Sequence, residues 1–302
     1  MKVLALTPRG YCHGVVNAIA TLRKIARDER IPRPVTVLGM VVHNQIIVDD
    51  FNKLGIITLN DKHKSRLELL DEVDAGTVVF TAHGVSDHVI EKARAKNLNI
   101  IDTTCTDVTK SQETIKDYLK KGYHMLFIGR HNHPESETAL SYDPINVTII
   151  ENTQDIDSCT IHNDKIAVSN QTTMSLFDIY SLTEKIKEKY PSITLIKEQC
   201  DATKIRQIAV MQQPKTIDHC FVVGDKRSNN TKKLVEVALK ENIRASRIES
   251  VKDLDIAYLK TLEYVSVTSG ASTPSHITKE VIDFLKKFDK KDFSTHTIKA
   301  SH

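Results

Sequence analysis

Short apolar runs alternate with amphipathic stretches along most of the chain. The apolar runs are typical of buried strands. They include Val35–Leu38, Val78–Thr81, Ile100–Asp102, His124–Ile128, Val147–Ile150, Lys165–Val168, His219–Val223 and Tyr264–Val267, with further runs at Val3–Leu6 and Ile193–Ile196. The stretches between them repeat apolar residues at helical spacing, and they include Val15–Arg27, Asp87–Ala95, Val108–Lys120, Leu176–Lys189, Thr231–Lys240 and Ser275–Lys287. This alternation predicts an α/β fold with parallel sheets that are covered by helices on both faces.

Three cysteines occur at nearly equal intervals in this pattern. Cys12, Cys105 and Cys200 are 93 and 95 residues apart. Each follows an apolar, strand-like run, and each precedes a helix-like stretch. Since ligands gather at the carboxyl ends of parallel strands, the spacing predicts three similar α/β units that bring three thiolates to one point.

A site with three thiolate ligands is one ligand short of the closed set of four that structural metal sites use. The chain has no C-x-x-C pair, so a structural zinc is disfavoured. A catalytic zinc with three cysteines remains open, and a cubane iron–sulfur cluster with one iron not bound by the protein fits better. Cys159 and Cys220 lack this setting, and we expect them to be structural.

The composition limits the class of protein. A chain of 302 residues with 40% hydrophobic and 27% charged residues is typical of a globular protein of two or three domains. Its 42 basic and 39 acidic residues are interspersed, which argues against a nucleic-acid partner. No apolar run reaches the ~18–20 residues that cross a bilayer, so we expect no membrane association and a cytoplasmic location. Five widely spaced cysteines argue against a disulfide framework.

Small, hydroxyl, amide and imidazole side chains follow nearly every predicted strand, which predicts a single polar cavity. His43 and His83 each terminate a strand, and an imidazole can donate a hydrogen bond to a phosphate oxygen. Further donors are Ser228, Asn230 and Ser272. Ser272 and Thr273 precede Pro274, a pattern typical of a helix N-terminus with proline at the first helical position. Both common glycine-rich nucleotide motifs are missing from the sequence, so these donors predict an anion site of another kind.

His133 and Glu135 place an imidazole and a carboxyl group two residues apart, after the strand His124–Ile128. A carboxylic acid beside a histidine is a good proton relay in a cavity with a metal and an anion site. Thr172 is predicted to bond either Glu135 or a substrate. The alternative for Glu135 is an ordinary residue of a first helical turn, and the alternative for Thr172 is a helix cap.

Nine segments together resemble the 4-hydroxy-3-methylbut-2-enyl diphosphate reductase family, which catalyses the last step of the non-mevalonate isoprenoid pathway. They occur in the family's order and span almost the whole chain. The segments are Gly10–Val15, Val42–Asn44, Ala82–Val85, Asp102–Cys105, His133–Glu135, Gln171–Ser175, Cys200–Thr203, Ser228–Asn230 and Ser269–Ser272.

The resemblance implies three similar α/β/α domains with mainly parallel sheets, in a pseudo-threefold arrangement around a central [4Fe-4S] cluster, one per chain. The expected domains are residues 1–102, 103–198 and 199–280, followed by a C-terminal tail at 281–302. Cys12, Cys105 and Cys200 would bind three irons of the cluster. The fourth iron would bind the substrate hydroxyl and act as a Lewis acid.

The resemblance also implies the reaction and the roles of the site residues. A ferredoxin- or flavodoxin-like donor would supply two electrons, and the allylic hydroxyl would leave as water to give isopentenyl and dimethylallyl diphosphate. The residues implied to deliver protons are Glu135, His133 and Thr172. The residues implied to bind the substrate are His43, His83, His133, Thr172, Ser228, Asn229, Asn230 and Ser272.

Three positions depart from the family's usual pattern. His13 stands where a small or apolar residue usually follows the first cysteine, Thr106 replaces a frequent proline, and Asn229 replaces a usual serine. His13 would shift the potential of a cluster through a hydrogen bond or its charge. Two alternatives follow, namely a divergent paralogue that acts on another allylic or phosphorylated alcohol, and a non-catalytic iron–sulfur redox sensor. Because a sensor needs neither Glu135 nor an anion site, their retention favours an enzyme.

Overall fold

The computed structural model describes residues 1–197 and 200–298. Its twelve strands within those residues are β1 (Lys2–Ala5), β2 (Val35–Leu38), β3 (Ile56–Leu59), β4 (Thr77–Phe80), β5 (Asn99–Asp102), β6 (His124–Ile128), β7 (Val147–Ile150), β8 (Ile166–Asn170), β9 (Ile193–Leu195), β10 (His219–Val223), β11 (Ala245–Ile248) and β12 (Tyr264–Ser269). Each apolar run identified in the sequence coincides with one of these strands, apart from shifts of one or two residues at the ends.

Helices lie between the strands. In the described ranges they are α1 (His13–Arg27), α2 (Gln45–Lys53), α3 (Arg66–Leu69), α4 (Asp87–Ala95), α5 (Thr106–Lys120), α6 (Pro134–Tyr142), α7 (Thr153–Ser158), α8 (Leu176–Lys189), α9 (Asp201–Met211), α10 (Asn229–Lys240), α11 (Ile256–Leu259) and α12 (Ser275–Lys287). The helices predicted from periodicity are confirmed. Among the helices that the structure describes, none combines the length and the apolar character that a membrane span requires.

The chain forms two compact units, which we name by their position in the sequence. The terminal unit comprises Met1–Cys12 and the described residues from Asp201 onward, and the middle unit comprises His13–Cys200. The terminal unit contains one sheet in the order β1-β12-β10-β11. The middle unit contains two sheets, in the orders β3-β2-β4-β5 and β7-β6-β8-β9. All strand pairs in these sheets are parallel, which confirms the predicted fold class.

The N-terminal strand departs from the expected domain boundaries. The expectation assigned residues 1–102 to the first domain, whereas β1 pairs with β12 from Lys2–Tyr264 to Ala5–Val267, so it belongs to the terminal unit. The amino group of Met1 donates to the carbonyl of Phe288 at 3.0 Å. Val3 and Ala5 pack against the hydrophobic core of the terminal unit, which explains why this strand completes that sheet.

The boundary expected at residue 281 is also displaced. It would divide α12, whose residues Val281 and Leu285 are fully buried in the core of the terminal unit. Phe288, just beyond the helix, is 1% exposed in the same core. Burial of a side chain of this size stabilises the fold by roughly 2–3 kcal/mol. The segment up to Phe288 is therefore part of the domain and not a tail.

Two edge strands escaped the sequence analysis for a common reason. The central strands β2, β4, β6 and β10 are buried along their whole length, so they are continuous apolar runs. The edge strands β3 and β11 are only partly buried and mix polar with apolar residues. A short mixed segment has too little periodicity to be distinguished from a loop.

Candidate active site

Each of the three equally spaced cysteines directly precedes a helix. α1 begins after Cys12, α5 after Cys105 and α9 after Cys200. All three thiols are partly exposed. The N-terminus of a helix carries partial positive charge and favours anionic groups. The helix starts predicted after these residues are confirmed, and the chemistry of the three thiols fits ligands of an iron–sulfur group.

The other two cysteines have different surroundings. Cys220 lies inside β10, and burial raises the pKa of its thiol to about 11. Cys159 follows the C-terminus of α7, and its Sγ lies 3.3 Å from the carbonyl oxygen of Ile156 as a hydrogen-bond donor. A thiol held protonated is a poor metal ligand. Both environments support the structural role expected for these residues.

Cys105 is held in a prepared position in the middle unit. Its backbone N–H donates to the carbonyl of Ala82 at 3.0 Å, which joins it to the segment that carries His83. A Cβ atom at Gly14 would lie 2.7 Å from Cys105 Sγ, so glycine leaves space for the sulfur. His13 Nε2 lies 3.5 Å from the same sulfur and 3.4 Å from Asp107 Oδ2. His13, one of the three positions that differ from the family's usual pattern, thus contacts a predicted cluster ligand.

Cys12 is fixed by a different set of contacts in the terminal unit. Its backbone N–H donates to the carbonyl of Ala271 at 3.0 Å, and the N–H of Gly10 donates to Ser269 Oγ at 2.7 Å. Arg206 is 3% exposed and donates from Nη2 to the carbonyl of Gly10 at 2.8 Å. The loop before Cys12 is therefore anchored on both sides. Convergence of the three thiols on one point stays a prediction.

Three histidines cluster in the middle unit. The ring centroids of His43 and His83 are 4.6 Å apart, those of His83 and His133 are 5.7 Å apart, and those of His43 and His133 are 6.4 Å apart. One nitrogen from each ring lies within 4.8 Å of the others. The strand ends that carry these residues are thus adjacent, as the polar strand ends predicted.

Burial keeps two of these imidazoles neutral. Desolvation lowers the pKa of His83 well below its ordinary 6.5, and the charges of His43 and His133 lower it further. Desolvation, followed by His43, likewise lowers the pKa of His133. Proton uptake by one ring would raise the electrostatic cost of charging the next. His83 and His133 therefore present neutral N–H donors near pH 7.

His133 also fixes its own tautomer. It is the N-cap residue of α6, and its Nδ1 accepts a hydrogen bond from the backbone N–H of Glu135 at 3.2 Å. A backbone N–H can only donate, so Nδ1 has no proton. The neutral ring must then carry its proton on Nε2. The local fold thereby makes Nε2 of His133 a hydrogen-bond donor.

Glu135 and Thr172 form a buried pair. Glu135 is 6% exposed. Thr172 donates from its backbone N–H to Oε2 at 2.9 Å and from its hydroxyl to Oε1 at 2.8 Å. Burial raises the pKa of Glu135 to about 7, although both bonds from Thr172 oppose that rise. The side chain is thus close to half-protonated at neutral pH, which is the state that proton transfer requires.

The two bonds also locate the proton of neutral Glu135. Oε2 accepts from a backbone N–H, which cannot accept a proton in return. The hydroxyl of Thr172 can both donate and accept, so the proton belongs on Oε1, which faces it. Glu135 and Thr172 therefore have the geometry of a two-residue proton relay.

Sequence analysis missed the residue that positions this relay. Gln171 is fully buried, its Oε1 accepts from the backbone N–H of Arg130 at 3.0 Å, and its Nε2 donates to Thr173 Oγ1 at 2.6 Å. These bonds tie the turn of Thr172 to the loop after β6. The signal was a long polar side chain directly after a buried strand, where an apolar residue would be ordinary. Gly14 was a similar signal, since glycine is unfavourable inside a helix.

The remaining predicted anion-binding residues lie in the terminal unit. Ser228 is the N-cap of α10, and Asn229 and Asn230 are its first two residues. All three are nearly buried, with at most 7% exposure. Asn230 Oδ1 accepts from the backbone N–H of Ala271 at 3.0 Å, which joins this turn to the loop after β12. The positive end of a helix with buried polar side chains suits an anion.

Ser272 lies in that loop, but not at a helix cap. The sequence pattern predicted Pro274 at the first helical position, whereas α12 begins at Ser275 and Pro274 is the N-cap residue. Thr273 instead donates from its hydroxyl to the carbonyl of Val223 at 3.0 Å. Ser272 is 8% exposed and follows directly on Ala271, the residue that Asn230 binds.

Known proteins resemble this chain over most of its length. The chain is 48% identical over 296 residues to 4-hydroxy-3-methylbut-2-enyl diphosphate reductase of Geobacillus sp. (strain WCH70), covering 98% of this chain and 93% of that protein. It is 46% identical over 291 residues to the protein of the same name from Symbiobacterium thermophilum, covering 96% and 98% of the two chains.

A solved structure extends the likeness to three dimensions. The E-1-hydroxy-2-methyl-but-2-enyl-4-diphosphate reductase from Plasmodium falciparum superimposes with a TM-score of 0.86 at 32% identity, covering 93% of this chain and 87% of that one. The family model described as LytB protein matches residues 3–286. On the strength of that match, which extends over most of its length, this chain belongs to the LytB protein family.

Proposed function

We propose that this chain is a 4-hydroxy-3-methylbut-2-enyl diphosphate reductase, which yields isopentenyl and dimethylallyl diphosphate. The allylic C–O bond breaks and a C–H bond forms, with two electrons and two protons consumed and one water released. The observation that carries the proposal is the buried Glu135–Thr172 pair beside the histidine cluster, in a chain of the LytB family. A protein that only sensed redox state would not need a carboxyl group whose pKa is about 7.

The proposed cofactor is one [4Fe-4S] cluster held by Cys12, Cys105 and Cys200. Support comes from three partly exposed thiols at helix starts and from the space that Gly14 leaves beside Cys105 Sγ. When bound there, the cluster supplies electrons and an iron that polarises the substrate hydroxyl. Two electrons must enter from outside, so a reductant is required, and we propose a ferredoxin- or flavodoxin-like protein for this role.

We assign proton delivery to Glu135, acting through Thr172. The proton on Oε1 of Glu135 passes to the hydroxyl of Thr172, which gives up its own proton to the reacting substrate. His133, with its donor at Nε2, holds the substrate oxygen by a hydrogen bond. Burial excludes bulk water from the carboxyl group of Glu135, so its proton passes to Thr172 and is not lost to solvent.

We assign diphosphate binding to two sets of donors. In the middle unit these are the imidazoles of His43 and His83. In the terminal unit they are the side chains at the start of α10, namely Ser228, Asn229 and Asn230, together with Ser272. Diphosphate binding away from the reacting carbon would orient the alcohol for reaction.

The direct test is anaerobic turnover. Cluster-loaded protein with verified iron and sulfide is given a chemical reductant and 4-hydroxy-3-methylbut-2-enyl diphosphate, and both products are measured. We expect consumption of the alcohol and formation of the two diphosphates. No turnover by loaded wild-type protein would contradict the proposal and would favour a paralogue with another substrate or a sensor. Glu135→Gln loaded with equal iron is the matched control, and it should bind substrate but convert it far more slowly.

A further inference from the structure

Arg66 carries a guanidinium group close to the histidine cluster, and none of the roles above uses it. It is the first residue of α3, and its guanidinium lies over Gly39, the residue after β2. A Cβ atom at Gly39 would lie 2.7 Å from Nη1 of Arg66, so the guanidinium would have to move from its present position. Glycine at this position therefore provides the space that the guanidinium occupies.

Arg66 is partly buried, and its guanidinium is not fully hydrogen-bonded. Its Nε is buried and has no hydrogen-bond partner within residues 1–197 and 200–298. Burial lowers the pKa of Arg66, and the nearby carboxylate of Glu137 opposes this effect. Burial in turn raises the pKa of Glu137, and the charge of Arg66 lowers it. A buried cation with an unused donor is costly, so its presence requires an explanation.

The charge of Arg66 reaches the histidine cluster. It contributes to the lowered pKa of His83 after desolvation and the two neighbouring imidazoles, and to that of His133 after desolvation, His43 and Arg130. Glu137 lies one turn into α6 from His133, and its backbone N–H donates to the carbonyl of His133 at 2.8 Å. The charge of Arg66 therefore acts on His83, on His133 and on Glu137, the last two of which lie at the start of α6.

We propose that Arg66 is a positioning residue of the anion site, and that its fixed charge strengthens binding of the substrate's diphosphate group at His43 and His83. This inference rests on the proposed function for the identity of the anion. Neutral imidazoles donate hydrogen bonds but bring no net charge. Arginine keeps its charge at every physiological pH, so the polyanion meets a positive potential that needs no proton uptake. Gly39, whose φ of +94° itself favours glycine, leaves room for this charge at the end of β2.

The test compares Arg66→Gln with Arg94→Gln, an exposed arginine at the end of α4 in the same unit. Inorganic pyrophosphate is titrated into each cluster-loaded protein by calorimetry at two salt concentrations. We expect Arg66→Gln to weaken pyrophosphate binding about tenfold, the order expected of one charge several ångströms from a polyanion. Its affinity should also depend less on salt. Arg94→Gln should match wild type in both respects.

Kinetics and two further variants complete the design. With the substrate, Arg66→Gln should raise KM about tenfold while kcat stays within twofold, since the charge acts on binding and not on the reacting bond. Arg66→Lys keeps the charge and should recover most of the affinity. Arg66→Met is the second charge-removing variant, to be used if Arg66→Gln does not fold.

Two results would overturn the role of Arg66. The first would be a folded Arg66→Gln or Arg66→Met variant that binds pyrophosphate as tightly as Arg94→Gln and with the same salt dependence. The other is an Arg66→Lys variant that binds pyrophosphate as weakly as Arg66→Gln. Because pyrophosphate binding requires no turnover, it distinguishes failure of this inference from failure of the proposed reaction, which only the substrate assay reports.

Discussion

Two groups of histidines in this protein lie at opposite ends of their strands, yet each group contains rings whose pKa is lowered. His43, His83 and His133 follow strand ends and face one another. His124 and His219 are the first residues of β6 and β10. Burial lowers the pKa of His83 and His133 in the first group and of both rings in the second, where that of His219 falls to about 4. A shifted pKa alone therefore does not mark a functional site.

The difference lies in the partners of the rings. His219 bonds Ser246 Oγ through Nε2 at 2.8 Å and the hydroxyl of Tyr258 through Nδ1 at 2.9 Å. His124 likewise bonds Thr148 Oγ1 at 2.9 Å. These hydroxyl partners complete local networks that hold neighbouring strands. Rings that face one another gain nothing from being charged and offer N–H groups to an incoming anion, so the strand ends are prepared for a ligand.

The largest expected effect concerns the cysteines, which also divide into those after strand ends and those elsewhere. Cys105 follows the end of β5, whereas Cys220 lies within β10 beside His219. Cys105→Ser should lose most of its iron after reconstitution, and turnover should fall to background, because a hydroxyl is a poor ligand for iron in a cluster. Iron and sulfide analysis with absorption spectroscopy measures this. Cys220→Ala and Cys159→Ser should keep their iron, and iron loss in either would contradict the assigned ligand set.

Glu135→Gln should give the next largest effect. The amide keeps the shape of the side chain and can still bond Thr172, but it has no acidic proton to deliver. We expect kcat to fall about 10²–10⁴-fold, the usual contribution of a positioned acid, with KM and iron content nearly unchanged. Single-turnover kinetics on loaded enzyme measure the chemical step. A kcat within threefold of wild type would exclude the relay.

The same substitution should change stability in a pH-dependent way. The pKa of Glu135 is about 7 in the folded chain, against an ordinary 4.5. As pH rises from 4.5, the unfolded chain releases this proton first, so wild type loses stability until about pH 7, above which the penalty is constant. The penalty amounts to about 3 kcal/mol. Glu135→Gln should therefore be more stable than wild type at pH 8 and equal to it below pH 4.5.

Denaturant titrations of both proteins across that range, without substrate, measure the difference. A gap between the two proteins that does not change with pH would show that burial does not hold the proton on Glu135. Stability gained on loss of a catalytic group is typical of a residue that is kept for function.

The sequence predicted the parts of this comparison that depend on local pattern. Buried parallel strands are continuous apolar runs, so β6 and β10 were identified to the residue, and the polar side chains after each strand followed directly. The sheet to which β1 belongs could not be predicted in this way, because the pairing of β1 with β12 joins residues more than 250 positions apart. Local pattern contains no information on such pairing.

Partners of individual side chains were equally inaccessible. The space that Gly39 leaves for Arg66 depends on the approach of α3 to the end of β2, and the tautomer of His133 depends on the cap of α6. Both are results of three-dimensional packing. Residue types at strand ends predicted which side chains make up the candidate site. The directions of the hydrogen bonds among them could be read only from the structure.

The smallest expected effect tests the comparison itself, with one substitution in each group. His219→Phe keeps the ring but leaves Ser246 and Tyr258 without their nitrogen partners, which should lower the free energy of unfolding by about 1–3 kcal/mol. KM should not change. His83→Phe removes a donor from the anion site, so KM should rise about tenfold, the loss expected for one hydrogen bond to a charged group. Its stability should change little, because its hydrogen bond to Thr81 Oγ1 is long, at 3.4 Å. The opposite result, in which His83→Phe unfolds more easily and His219→Phe binds substrate more weakly, would refute the division of these histidines by strand end.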